Sequence, residues 1–184
     1  MTHTTPAHVL DVHDLIDEPG ASRPVRRRVP VPSGLDLPLA EVRDDVRIDG
    51  MLESVVEGIL LRGEVGTDLT LACSRCLEPV LVDVSSPVTE LYGDPARVDE
   101  DDEVEEGFEL SGGQIDIDPL LRDVIAAAVP LQPRCRPDCA GLCPTCGVNR
   151  NCTRCECVTD DRDPRWSALQ SLQLPTDPDD TGNN

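Results

Sequence analysis

Nine cysteines account for most of the chemistry that this sequence could perform, and seven of them lie between Cys135 and Cys157. The other two form a C-x-x-C pair at Cys73 and Cys76, and the stretch CPTCG at residues 143–147 contains a second such pair. A C-x-x-C turn places two thiolates about one ligand–ligand distance apart, as a tetrahedral metal ion requires. Proline helps to set the second turn, and the glycine after it permits an unusual backbone angle. The pattern predicts metal binding, with zinc favoured over iron and over free structural cysteines.

The number of cysteines predicts two metal ions, because a structural zinc ion takes four ligands and nine cysteines make two such sets with one left over. The simplest division joins each C-x-x-C pair to the nearest remaining pair. The first set is then Cys73, Cys76, Cys135 and Cys139, and the second is Cys143, Cys146, Cys155 and Cys157. Cys152 is the spare thiol, although it could replace Cys155. An iron–sulfur cluster is disfavoured because the run C-x₂-C-x₂-C-x₃-C-P is absent.

A C-x-x-C pair can also be a redox motif, and this alternative applies to Cys73 and Cys76. The redox interpretation requires a strand-to-helix junction in a βαβ setting. Here strand-like segments flank the pair on both sides, so metal binding is favoured.

The charge of the chain limits its partners. Its 36 acidic residues against 16 basic ones give a formal net charge of -20, and every basic residue is arginine. So negative a protein is poorly suited to non-specific binding of nucleic acid or of an anionic membrane, and it favours basic proteins. The first ten residues do not resemble a signal peptide, and the longest apolar run, 124–129, is far too short to span a bilayer. We therefore expect a cytoplasmic protein whose thiols stay reduced.

Strand patterns occupy the middle of the chain. Segments 46–63, 67–73 and 79–91 alternate apolar and polar residues, which predicts half-buried antiparallel strands with turns at Gly63, Gly66 and Pro79. Residues 9–16 predict a first strand and residues 36–43 a short helix. A longer helix is expected after Asp118 as its N-cap and before Pro130. The predicted fold class is α+β, with a mainly antiparallel β-sheet, a packed helix and a C-terminal cysteine-rich module like a zinc ribbon.

Five segments follow from these patterns. They are a disordered tail at 1–8, a β-rich domain at 9–131 with an acidic loop at 94–106, a cysteine-rich zinc module at 132–160, a short helix at 161–174 and a disordered tail at 175–184. Two charged segments have two interpretations each. The acidic loop could only solubilise the chain or could mimic nucleic acid toward a basic partner. The basic stretch 19–33, which contains Arg26, Arg27 and Arg28, could be a solvated linker or a phosphate contact.

Two motifs resemble a known family. Residues 71–79, LACSRCLEP, resemble the CxRCLxP motif of the YceD-like proteins, and residues 135–151 resemble the cysteine-rich C-terminal segment of that family. The helical stretch before that segment also fits, so the resemblance covers most of residues 35–172. It implies a metal-binding protein involved in accumulation of large-subunit ribosomal RNA, with nucleic-acid binding as a further expectation. The lack of lysine resembles an actinobacterial branch, and Cys152 is a departure from the family pattern.

An enzyme is not expected. The glycine-rich stretch 111–114 lacks the lysine of a P-loop, no Gly-x-Ser-x-Gly occurs, and no histidine is expected in the ordered part of the chain. Four thiolates on each zinc ion would also leave no open coordination position. Four arginines of the zinc module are candidate phosphate contacts or are only solvated side chains near the thiolates: Arg134, Arg136, Arg150 and Arg154.

The sequence thus predicts a non-enzymatic zinc-binding factor that supports large-subunit ribosomal RNA accumulation and ribosome assembly by binding a ribosomal protein or RNA. No membrane and no small-molecule substrate is expected. The alternative is a thiol-based, redox-sensitive zinc protein or chaperone in which Cys152 is a free thiol.

Overall fold

A computed structural model describes residues 6–95, 97, 108–157 and 165. The elements within this part of the chain are β1 (Val9–Asp11), β2 (Ser22–Val29), β3 (Ala40–Val42), β4 (Val46–Val55), β5 (Gly58–Ala72), β6 (Pro79–Gly93), β7 (Gln114–Asp116) and α1 (Asp118–Ala128). All strand pairs are antiparallel. The expected α+β fold, a mainly antiparallel sheet with one packed helix, is confirmed.

β5 is the centre of a five-stranded sheet. β4 pairs with its first half and β3 with its second half on one side, β6 pairs along its whole length on the other side, and β2 pairs with β4. Strand residues alternate between a buried and an exposed face. Residues of the buried face pack with α1, β1 and β7 into one core, which includes Leu52, Leu61, Leu69, Ile117 and Leu121. This core carries the turn between β5 and β6, which holds the first C-x-x-C pair.

The expected turns at Gly63 and Gly66 are wrong, because β5 runs through both residues without a break. The chain turns instead at residues 56 and 57, between β4 and β5. Gly50 and Gly63 are cross-strand partners, and a Cβ atom on Gly63 would lie 2.5 Å from the Cα atom of Gly50. These glycines let two strands approach closely, which is a common reason for glycine inside a strand.

Two further segments differ from expectation. The basic stretch 19–33 is not a linker, since most of it forms β2, and Arg26 lies opposite Asp49 of β4 with an ion pair of 3.0 Å. Three consecutive arginines hide the alternation that would have indicated this strand. Residues 36–43 do not form a helix; Ala40–Val42 is β3, which pairs with β5. Pairing with a neighbouring strand outweighs weak local preference in both segments.

The helix after β7 begins one residue before the predicted position, with Ile117 and not Asp118 as its N-cap. Pro119 lies in its first turn, and the side chain of Asp116 accepts a hydrogen bond of 2.9 Å from the N–H of Asp118. His8 lies 3.1 Å from the Asp118 carboxylate and 2.8 Å from the carbonyl oxygen of Pro30. The expectation that no histidine belongs to the folded part is therefore wrong.

Three predictions concern segments mainly outside the described residues. They are the acidic run 99–106, the C-terminal helix at 161–174 and the tail at 175–184.

Candidate metal centres

The first C-x-x-C pair lies in the turn between β5 and β6, immediately after Ala72. The N–H of Leu77 donates to the carbonyl oxygen of Cys73 over 2.9 Å, and the N–H of Cys73 donates to that of Glu78 over 2.8 Å. These bonds close a tight loop in which Leu77 has a positive φ of 63°. The loop holds Cys73 and Cys76 on the same side, with both residues buried.

Cys135 and Cys139 reach this turn from the segment that follows α1. The N–H of Ser74 donates to the carbonyl oxygen of Pro133 over 2.8 Å, and the N–H of Cys135 lies 3.5 Å from the sulfur of Cys73. These bonds place the second pair of thiols against the first. Two distances between Sγ atoms are 3.9 Å, from Cys73 to Cys139, and 3.7 Å, from Cys76 to Cys135.

These distances suit a tetrahedral metal ion. Zinc–thiolate bonds of about 2.3 Å at tetrahedral angles place the sulfurs about 3.8 Å apart. All four Sγ atoms of Cys73, Cys76, Cys135 and Cys139 lie within 4.8 Å of one another. This cluster, called cluster 1, could hold a metal ion.

A second cluster belongs to the unit Ala140–Asn184. The N–H of Gly147 donates to the carbonyl oxygen of Cys143 over 2.8 Å, and Leu142 forms a bridge with Asn149. The side chain of Asn151 accepts from the N–H of Ala140 over 2.8 Å and so fixes the loop that follows. The Sγ atoms of four cysteines then lie within 4.8 Å of one another, those of Cys143, Cys146, Cys155 and Cys157. This group, called cluster 2, could also hold a metal ion.

The leading cysteine of each turn has a thiol that ionises easily. The backbone N–H groups of Arg75 and Cys135 donate to the sulfur of Cys73 and lower its pKa from 9.0 to about 6. The N–H groups of Cys146 and Thr145 lower the pKa of Cys143 to about 6 in the same way. Backbone donors thus stabilise one thiolate per cluster, and the thiolate is the form that binds metal.

Other thiols in the clusters keep their protons more firmly. Loss of solvation and then the neighbouring thiols raise the pKa of Cys135 to about 12. The Cys146 thiol and then desolvation raise the pKa of Cys157 to about 12. A divalent cation would displace these protons and relieve the crowding of four sulfurs.

The eight cysteines that the sequence proposes as ligands are those that the structure brings together, in the same two groups of four. Cys152 is exposed and belongs to neither group. The positive φ of Leu77 and the N–H donors to Cys73 and Cys143 have no sequence signal beyond the C-x-x-C spacing itself. Among the described residues, we find no helix with the length and apolar character needed to cross a membrane.

Comparison with known proteins places these residues in context. An uncharacterized protein of Mycobacterium tuberculosis is 34% identical over 179 residues, which is 94% of this chain and 84% of the relative. A maize protein named large ribosomal RNA subunit accumulation protein YCED homolog 1, chloroplastic, is 33% identical over 129 residues, 53% of this chain and 43% of its own length. The Arabidopsis thaliana homolog of the same name is 26% identical over 141 residues. No solved structure matches the chain significantly.

A family model described as large ribosomal RNA subunit accumulation protein YceD matches residues 61–173. These residues contain all eight clustered cysteines. The chain belongs to the YceD family.

Proposed function

We propose that this chain is a non-enzymatic, cytoplasmic zinc-binding factor that supports accumulation of large-subunit ribosomal RNA during ribosome assembly. The observation that carries the proposal is the pair of four-thiol clusters within the residues that match the family model. Four thiolates satisfy the coordination of a structural zinc ion and leave no position for substrate, which argues against catalysis. The names of the plant relatives supply the link to ribosomal RNA.

The charges favour a protein partner over bare RNA. The hollow on the open face of the sheet holds arginines and carboxylates side by side: Arg26, Arg27, Arg28, Arg47, Asp49, Glu64 and Asp83. Arg26 pairs with Asp49, and Arg47 pairs with two carboxylates. This mixture of charges is a poor phosphate surface. We therefore expect tighter binding to a basic ribosomal protein or a ribonucleoprotein precursor than to bare ribosomal RNA, with RNA contacts confined to arginines of the cysteine-rich segment.

Metal content is the direct test of the proposal. Protein purified without added metal should contain two zinc ions per chain by elemental analysis, since each cluster offers four ligands. Cobalt in place of zinc should give the absorption of tetrahedral thiolate coordination. A zinc content near zero would contradict the proposal, and iron in place of zinc would correct the identity of the metal.

The cellular role needs a separate measurement. Depleting the chain from cells that produce it should lower the ratio of large-subunit to small-subunit ribosomal RNA. Wild-type protein and a Cys152→Ser variant should restore the ratio, whereas a Cys135→Ser variant should not. An unchanged ratio after depletion would refute the role in RNA accumulation while leaving the metal result intact.

A second candidate function is a redox-sensitive zinc protein, and the exposed thiol of Cys152 favours it. Peroxide would take two electrons from two thiolates, which form a disulfide, while the peroxide is reduced to water and zinc is released. If this function operates, mild peroxide should release zinc faster from wild type than from Cys152→Ser. Equal rates would remove the case for Cys152 as a sensor.

A further inference from the structure

An apolar groove of about 660 Å³ lies beside cluster 1. Three segments form it: residues 36–40 before and into β3, residues 71–74 and 77 around the first C-x-x-C turn, and residues 126, 129–131 and 133 at the end of α1 and after it. Asp36 is the one charged residue among the described residues of its lining. We call it the leucine groove, after Leu39, Leu77 and Leu131.

These three leucines are far more exposed than leucines of a folded domain usually are. Leu131 is 98% exposed, Leu39 is 83% exposed and Leu77 is 65% exposed. A single exposed leucine needs no explanation, but apolar side chains gathered in one concave surface mark a site of interaction.

Leu77 provides a second sign of function. Its φ of 63° is a left-handed conformation that glycine or asparagine adopts at lower cost. A leucine at this position gives no advantage to the turn itself, because its side chain is mostly outside the core. Its apolar surface is instead presented to the groove, and strain of this kind is concentrated at functional sites.

The walls of the leucine groove depend on cluster 1. Pro133 accepts a hydrogen bond from Ser74, and the next contacts between these walls are those of Cys135 and Cys139 with Cys73 and Cys76. A metal ion in cluster 1 would hold the segment after α1 against the turn. The groove should therefore keep its shape only when cluster 1 is loaded.

The charge around the groove selects the kind of partner. A neighbouring hollow shares residues 37–40 with the groove and adds Glu41, and within the part of the chain that the structure describes no arginine lines either of them. A divalent ion with four thiolates would carry a net charge of about -2, and the chain has a formal charge of -20. Phosphate groups would be repelled here, whereas cationic side chains around an apolar segment would be attracted.

We infer that the leucine groove docks an amphipathic, arginine- or lysine-rich segment of a basic protein. Apolar side chains of that segment cover Leu39, Leu77 and Leu131, and its cations face Asp36, Glu41 and the thiolates. The inference rests on the proposed function and names the partner class for it.

The test uses the full zinc-loaded chain, immobilised, with the RNA-free proteins of the large ribosomal subunit as one probe and bare large-subunit ribosomal RNA as the other. Leu131→Asp and Leu39→Asp introduce a charge at exposed positions in the groove. Val56→Asp is the matched control, because Val56 is 69% exposed in the turn between β4 and β5 and does not line the groove. Zinc content and thermal unfolding should be the same in all four proteins.

Wild type and Val56→Asp should retain a basic protein equally, and both groove variants should retain it at least about tenfold less, as expected for central interface residues. Chelation of zinc should cause a similar loss. Equal retention by all four proteins would overturn the groove while leaving the proposed function intact. Retention of RNA alone by wild type would overturn the groove and assign RNA as the partner. Retention of neither probe would count against the proposed function as well.

Discussion

In the first C-x-x-C turn, the N–H of Leu77 donates to the carbonyl oxygen of Cys73 over 2.9 Å. In the second turn, the N–H of Gly147 donates to the carbonyl oxygen of Cys143 over 2.8 Å. The residue after each turn has a positive φ, 63° at Leu77 and 71° at Gly147. Backbone donors lower the pKa of the leading thiol to about 6 in both turns. Two stretches of different sequence thus build one local geometry, because the ligand spacing requires it.

The surroundings of the two clusters differ. Cluster 1 joins Cys76 to Cys135, 59 residues later, and it lies in a unit with a large apolar core. Cluster 2 is contained in 15 residues, from Cys143 to Cys157. Within residues 140–157 only Gly141 and Cys143 are buried. The same motif can therefore brace a domain that already has a core or replace the core of a segment that lacks one.

Removal of metal should separate these two roles most strongly. With a chelator, amides of residues 140–157 should lose all protection from hydrogen exchange. In zinc-finger peptides, the binding of structural zinc supplies roughly 10–16 kcal/mol of apparent folding free energy. The strands β4, β5 and β6 should stay protected along most of their length, with loosening only beside the turn. Collapse of the whole sheet on chelation would show that cluster 1 also supports the core.

Single ligand substitutions should show the same contrast on a smaller scale. Cys135→Ser and Cys157→Ser should each reduce the metal content from two ions to one, since three thiolates hold zinc poorly. Exchange should rise near residues 130–139 in the first variant and across 140–157 in the second. Cys152→Ser is the control and should keep both ions. Loss of metal in that control would mean that Cys152 replaces a proposed ligand.

The sequence predicted the sheet, the helix and the grouping of cysteines for physical reasons that can be named. Alternation in residues 79–91 and the proline at 119 are local signals, and thiol spacing is a local property of a C-x-x-C turn. β2 and β3 were missed because their stability comes from pairing with β4 and β5, which no local pattern records. The leucine groove was missed because it, too, forms only when distant segments come together. Nothing in the sequence near Leu131 indicates that its side chain is exposed.

The pH dependence of zinc binding follows from the pKa values. Above pH 6 the thiols of Cys73 and Cys143 are already ionised, whereas Cys135 and Cys157 keep their protons. Each site should therefore release fewer than four protons when it binds zinc near pH 7. Below about pH 6 one more proton per site must be displaced, so zinc affinity should fall by a further factor of about ten per pH unit.

The lowered pKa values of Cys73 and Cys143 also make the metal-free fold less stable as the pH falls. A lowered thiolate pKa adds stability that is complete above the ordinary thiol pKa and is lost as the pH falls through about 6. Calorimetric titration of zinc in buffers of different ionisation enthalpy would count the protons at each pH. A proton count that is unchanged between pH 5 and pH 8 would contradict the assigned pKa values.

The smallest expected effect comes from exchanging the residues that follow the two turns. Leu77→Gly removes the cost of a side chain in the left-handed region and should stabilise the unit with the sheet by about 1 kcal/mol in thermal unfolding. Gly147→Leu should destabilise cluster 2 by a similar amount, through strain alone, because nothing lies within 4 Å of a Cβ atom at this position. The two substitutions should leave zinc content unchanged.

The decisive readout for Leu77→Gly is partner binding. The substitution should weaken binding although the protein becomes more stable, because an apolar side chain of the leucine groove is lost. A Leu77→Gly variant that is more stable and binds equally well would mean that the strain at Leu77 serves no docking role, and one that is less stable would mean that its side chain contributes to the fold after all.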